Sequence, residues 1–278
     1  MQPSRNDVEM LTIFPLYFDA IRYWADEDSG HWEETRKIKA SSIGAVVAGL
    51  AKLRTFLSDG RARTDLSGRS SQVSDSFMKA LERRGRNELN SILPYECAQT
   101  SSAKKRRYDG ALLFLVYPLE VVGDAMGTRI LRDIAENLEG PYGIKRYVGD
   151  SYWAADYKDK LDPAKRTADF SHGVGMRNKL LAPGQETQWC LFDPIMSAAY
   201  GRKYHRTGRK EYLKQQTHYF NRSLGQLTGQ AKGVHEFQCP EAYYLERGRY
   251  VPNDQTPLLW TQANLLVAIT LMEQSLSD

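Results

Sequence analysis

Cysteine is scarce in this 278-residue sequence: Cys97, Cys190 and Cys239 are the whole set, with no C-x-x-C pair among them. An odd, scattered set builds no disulfide framework and fits a reducing compartment, so a cytoplasmic location is expected. Histidine is scarce too. His31, His172, His205, His218 and His235 show no pairing at ligand spacing. HEFQC (235–239) begins like a zinc-protease helix but lacks the second histidine, so no metal is expected. No G-x-S-x-G elbow occurs, and SHGVGMRN (171–178) has neither the third glycine nor the preceding strand of a dinucleotide or phosphate loop. Excess charge of one sign is missing as well. Formal net charge is +4, from 38 basic and 34 acidic residues, too small an imbalance to argue for nucleic acid. The basic run KKRRY (104–108) reads as a solvated loop. There is no long unbroken apolar run. LLWTQANLLVAITLM (258–272) is interrupted by Thr261, Gln262 and Asn264, so it reads as a buried helix and not as a bilayer span. The start, MQPSRNDVEM, lacks a basic stretch followed by an apolar one, so no secretory signal is visible. Nucleic acid and membrane are therefore not expected partners.

What is present is an ordinary globular composition, 41% hydrophobic and 26% charged, in a chain long enough to bury a large core. Aromatics make up 11%, including 16 tyrosines and 5 tryptophans. Such richness suits flat sugar faces and large helical cores alike. Helical periodicity dominates. Residues 8–26, 41–57, 72–93, 109–124, 125–139, 186–205, 210–227 and 256–276 read as helices, about eight in all, with no convincing run of alternating strand residues. Within 41–57, Ile43, Val46, Val47, Leu50, Leu53 and Leu57 recur at three- and four-residue spacing and make one apolar face, and the paired serines ahead of them are good N-caps. Pro15 bends the first helix, and Pro118 ends or kinks the fourth. The long connections at 140–185 and 228–255 are the places to look for function. No linker or repeat divides the chain, so one all-α domain over 1–278, built of antiparallel helix hairpins, is expected.

Paired carboxylates are the one chemistry the residues offer. Glu33 follows Trp32 in one loop. Glu241 lies in another, CPEAYYLERGRY (239–250), among Tyr243, Tyr244 and Tyr250. Cleaving a glycosidic bond takes one protonated carboxyl for the leaving oxygen and one ionised carboxylate. An acid held against an indole has its charged form desolvated, and one among hydroxyls and water stays ionised. Glutamates near aromatics also occur in any helical protein, so spacing alone leaves both readings open.

The segments HWEETRKIKASSIGAVVAGL (31–50), GIKRYVGDSYW (143–153), ETQWCLFDPIMSAAYG (186–201) and PEAYYLERGRYVPNDQTPLLWTQANLLVAI (240–269) resemble, in order, those of glycoside hydrolase family 15. This is the glucoamylase-like family, with a branch related to the regulatory α and β subunits of phosphorylase kinase. The resemblance implies an (α/α)6 barrel, a six-hairpin toroid with the active site at one mouth. It also implies inverting hydrolysis of α-glucosidic bonds in oligo- or polysaccharides with no cofactor, the two carboxyls being about 6.5–9.5 Å apart. By that resemblance Glu33 matches the general acid and Glu241 the general base. Trp32, Glu34, Arg146, Asp150 and Trp189 match substrate-binding positions, and Trp260 opens the final helix.

The family's domain has about twelve helices and this sequence supplies about eight. The expected barrel is therefore incomplete, the C-terminal two-thirds of the domain, to be completed by an earlier segment or by self-association. The family's Asp two residues before the Trp is Gly30 here. Two readings follow. One is an enzyme acting on an α-glucan or small α-glucoside. The other is a non-catalytic carbohydrate-binding or regulatory protein of the phosphorylase kinase branch.

Overall fold

The computed structural model describes residues 4–58, 73–99, 105–166, 175–179, 184–230 and 235–277. His172, the first half of SHGVGMRN, Lys104 of the basic run and the first residue of the helix expected from 72 lie outside them. The expected all-α class holds, with 58% of the described residues in helix and 9% in strand. The chain divides into two compact units. The first is Met1–Arg107 with Leu119–Val121, and the second is Tyr108–Pro118 with Val122–Asp278.

The first unit is built on three helices, α1 (Arg5–Ala20), α2 (Ala40–Ser58) and α3 (Asp75–Ile92). Ser4 opens α1 with a capping box, exchanging hydrogen bonds with Asp7, and Ser74 caps α3 by accepting from the Phe77 N–H. Pro15 sits inside α1. On α2 the buried side chains Ile43, Val47 and Leu50 keep the expected spacing, and they pack toward Met78, Leu81, Leu89 and Ile92 of α3. Fully burying each such side chain is worth about 1.5–3 kcal/mol. By length and composition α2 could cross a bilayer, but its inner face is that of a core helix. The cap expected from its serines comes from elsewhere. The Glu96 carboxylate accepts from the Ser41 N–H at 3.2 Å, and the Glu96 carbonyl from the Ala40 N–H at 2.8 Å.

The second unit carries α4 (Asp124–Asn137), α5 (Phe192–Thr207), α6 (Lys210–Gly225) and α7 (Leu259–Ser277). The last three pack on one another. The helix expected over 109–124 is much shorter, a 3-10 turn at Gly110–Leu112 followed by Leu113–Val116. It stops before Pro118, whose ring cannot follow a helical residue without a clash. α5 starts at Phe192, six residues later than expected.

Short strands do form where the sequence shows no convincing alternating run. Five short strands, β1 (Glu139–Gly140), β2 (Gly143–Ile144), β3 (Gln188–Trp189), β4 (Ala242–Glu246) and β5 (Arg249–Pro252), make one antiparallel sheet in chain order. Strands of two residues show no alternation for a periodicity search to find. The β4–β5 hairpin hides for another reason. Its turn residues Arg247 and Gly248 both have positive φ, 47° and 78°, as a primed hairpin turn requires. The chain reaches that geometry without the Asn-Gly or Asp-Gly pair that signals it.

Candidate functional site

In the first unit the Trp-Glu-Glu segment is a tight turn. Gly30–Trp32 form a 3-10 turn, and the N–H groups of Glu33 and Glu34 donate back to Gly30 O and Ser29 O. Asp28 and Lys37 close the segment by exchanging backbone hydrogen bonds at 3.0 Å. Gly30 sits at φ 62°, and a Cβ there would meet the Lys39 side chain at 2.3 Å. A side chain at this position would strain the left-handed backbone and require the Lys39 side chain to shift. Trp32 is buried.

The next two residues correct the desolvation argument. Glu33 takes a left-handed backbone, φ 49° and ψ 51°, and its side chain is exposed. Glu34 is the buried carboxylate, 1% exposed, and Arg106 NH2 reaches it at 3.1 Å. Lys37 is buried nearby, and burial followed by the Arg106 charge pushes its pKa down. A single residue at positive φ reverses the direction of the chain, so Glu34 turns inward where Glu33 was expected to. Behind the turn lies a group the sequence did not single out. Ser41 Oγ donates to Glu96 Oε1 at 2.5 Å and stands 3.1 Å from His31 Nδ1. With the serine proton committed to the carboxylate, the network puts a proton on Nδ1 of His31.

In the second unit the sheet gathers the other candidates. β2 pairs Ile144 with Trp189 of β3, which pairs with Ala242 of β4, one residue after Glu241. The Cys190 N–H donates to Glu241 O at 2.9 Å, and the Glu241 N–H to Gln255 O at 3.1 Å. Arg146 follows β2. It is 4% exposed and grips Asp150 in a bidentate pair, Nε to Oδ2 at 2.6 Å and NH2 to Oδ1 at 2.7 Å. Its guanidinium lies 4.7 Å from the centroid of Tyr152 and 4.8 Å from that of Trp189, and these two rings stack on each other at 5.8 Å. Beneath them Trp153, Tyr157 and Tyr244 form an aromatic core. Trp260, on the first turn of α7, stacks on Phe114 at 5.7 Å.

The Glu241 side chain is half-buried and accepts from the Asn253 amide. Burial pushes its pKa up. The Asn253 hydrogen bond and the Arg146 charge act the other way. The neighbouring Cys190 thiol is fully buried and pushed well up by desolvation. All three cysteines are buried and free.

No protein-family model matches the sequence, and no curated protein does. Solved structures do. A wild-type glycosidase matches with a TM-score of 0.56 at 17% identity, over 92% of this chain and 57% of its own. A tyrosine-to-phenylalanine variant of a glycosidase matches with a TM-score of 0.56 at 16% identity, over 91% and 57%. A glutamate-to-alanine variant of a glycosidase, in complex with glucose, matches with a TM-score of 0.53 at 15% identity, again over 91% and 57%.

The fold is a glycosidase fold. The chain spans 57% of the length of the glycosidases it matches. Within this fold the structure brings Arg146, Asp150, Trp189 and Glu241 to one sheet. It sets Trp32, Glu33 and Glu34 in one turn of the first unit. Tyr152, Asn253, Arg106, Ser41 and Glu96 were not anticipated. Tyr152 stands two residues after Asp150 and accompanies a recognisable segment. For Arg106 and Glu96 nothing in the sequence gives a signal, because their partners lie 72 and 55 residues away.

Proposed function

We propose that the chain is a glycoside hydrolase of the glucoamylase-like family 15 type, cleaving α-glucosidic bonds in oligo- or polysaccharides with inversion. The observation that carries the reading is the setting of Glu241 in a glycosidase fold. A general base has to be ionised before it can take a proton. Burial works against that at Glu241, while the Asn253 amide and the Arg146 charge favour the carboxylate. One glycosidase of like fold is a complex with glucose, and a glucosyl unit is the substrate we assign.

In this reading Glu241 takes a proton from water as the water oxygen bonds to the anomeric carbon. Glu33 donates its proton to the glycosidic oxygen, which leaves from the opposite face. Trp32, Glu34, Arg146, Asp150 and Trp189 are the substrate-binding positions that the family resemblance assigns. The products are one free sugar of inverted configuration and a shortened glucan. The test is reducing-sugar release from maltose, isomaltose and dextrins. Glu241→Gln, which keeps shape and loses basicity, is expected to lower turnover by about 10²–10⁴-fold. Equal turnover by the variant and the wild type would refute the assignment.

One observation favours the non-catalytic alternative. Glu33 is exposed, whereas a proton donor in this chemistry is held in a desolvated pocket. A binding protein of this fold would retain maltooligosaccharide and release no sugar from it. Calorimetric binding combined with the reducing-sugar assay separates the two readings.

A further inference from the structure

Asn253 follows β5 and is 3% exposed. Its N–H donates to Ala242 O at 3.0 Å, and its carbonyl accepts from Thr256 Oγ1 at 2.9 Å. Two residues on, Gln255 O takes the Glu241 N–H. The segment after β5 thus holds the backbone at both 241 and 242, and places the Asn253 amide against Glu241 Oε2. An ionised carboxylate only accepts, so the amide has to present Nδ2 to it and turn Oδ1 away. Oδ1 is then buried with no hydrogen-bond partner among the described residues. An unanswered buried carbonyl is costly, and such exceptions call for a functional reason. The titratable groups that face Glu241 are Arg146, from the segment after β2, and Cys190, after β3. The Cys190 thiol is neutral. The Arg146 charge is answered by its bidentate pair with Asp150, so direct donation to the carboxylate falls to Asn253.

We propose that Asn253 is a positioning residue for Glu241: its amide aims the carboxylate and holds it ionised, ready to accept a proton from water. The proposal rests on the hydrolase reading for the reaction served, while the coupling between the two side chains is a property of the chain in either reading. In a carboxylate that loses a donor, the protonated form gains relative to the ionised one.

The experiment is a carboxyl titration. The full chain is labelled at glutamate Cδ with carbon-13, the Glu241 resonance is assigned by its loss in Glu241→Gln, and its pH dependence is followed by NMR. Asn253→Ala is expected to raise the Glu241 midpoint by about one unit or more, the size of a lost hydrogen bond to a charged group. In the near-isosteric Asn253→Asp, two adjacent carboxyls share one proton, and the pair takes it up at higher pH than Glu241 alone. The acidic limb of kcat/KM on maltose should move up by the same amount, a change that loss of fold would not produce. A Glu241 midpoint that stays at the wild-type value in both variants, each with wild-type circular dichroism, overturns the proposal. Should Asn253→Ala fail to fold, Asn253→Asp decides alone. If no variant and no wild type releases sugar, the hydrolase reading fails and the titration still decides the role of Asn253.

Discussion

Replacing Arg222 with Met tests the packing beneath the sheet. Arg222 sits on the last turn of α6 and donates to Asp193 Oδ1 at 2.5 Å, to Gly140 O at 2.9 Å and to Gly143 O at 3.4 Å. Asp193, on the first turn of α5, is fully buried and has a second donor in Gln226 Nε2 at 2.6 Å. Losing the guanidinium leaves a buried carboxylate with its charge uncompensated, which costs about 3–5 kcal/mol. At about 1.4 kcal/mol per tenfold, that is a change of two to three and a half powers of ten in the unfolding equilibrium. The penalty depends on pH. Burial pushes the Asp193 carboxyl above the ordinary value and Arg222 opposes that rise. As pH climbs from the unfolded carboxyl's pKa to the raised folded one, the unfolded chain sheds its proton first and folding loses stability. Arg222→Met removes the opposing charge and widens that window, so its deficit grows as pH rises above the range of an ordinary carboxyl and shrinks as pH falls back into it. Urea denaturation followed by far-UV circular dichroism measures both. Asp193→Leu combined with Arg222→Met removes both charges of the buried pair and should recover part of the loss, the remainder coming from the orphaned Gly140 and Gly143 carbonyls, the Gln226 amide and the Glu139 carboxylate that Arg222 also meets at 3.3 Å. A single-variant loss below about 1 kcal/mol, or a double variant no more stable than the single one, would refute the reasoning.

Two further substitutions follow from local geometry. Glu33→Gly removes a side chain from a left-handed backbone at φ 49°. Stability should rise, by about 1 kcal/mol at most, while sugar release falls to background, and thermal melting with the maltose assay reads both. Gly85→Ala places a Cβ 2.1 Å from the Tyr23 hydroxyl and 2.8 Å from Val47. Tyr23 would have to give up its 2.9 Å hydrogen bond to Leu81 O. The cost should be about 1–3 kcal/mol, as for overpacking, and chemical denaturation checks it against Gly49→Ala, where nothing lies within 4 Å of the new methyl group.

The helices were legible because each long one is bounded and patterned locally. The α2 spacing of Ile43, Val47 and Leu50 is visible in the sequence and is the buried face in the structure. The sheet was not legible. β3 is two residues long and is held by partners 45 and 55 positions away, Ile144 for Trp189 and Tyr243 for Gln188. The β4–β5 hairpin turns on Arg247–Gly248, a pair that carries half of the usual signal. Pro118 did mark a real boundary, but the helix before it proved only a turn and a half, since an apolar run of that length does not distinguish a long buried helix from a short one.

The site was legible at its motifs and not in its environments. Trp32, Glu33 and Glu34 could be picked out together, but which glutamate is buried depends on one backbone angle at residue 33, and hydrophobic periodicity carries no information about it. The same holds at Glu241. Its neighbours in sequence are Pro240 and Ala242, and neither touches its charge. The group that does is Asn253, 12 residues on, carried back by a hairpin whose register sets Tyr243 against Pro252. A one-residue slip in that register would turn Asn253 away from the carboxylate and leave burial to act on it unopposed by a donor. The protonation state of the proposed base is therefore decided by strand pairing. For that reason a change in the β4–β5 turn such as Gly248→Val, seven residues along the chain from Glu241, should disturb the Glu241 titration as Asn253→Ala does.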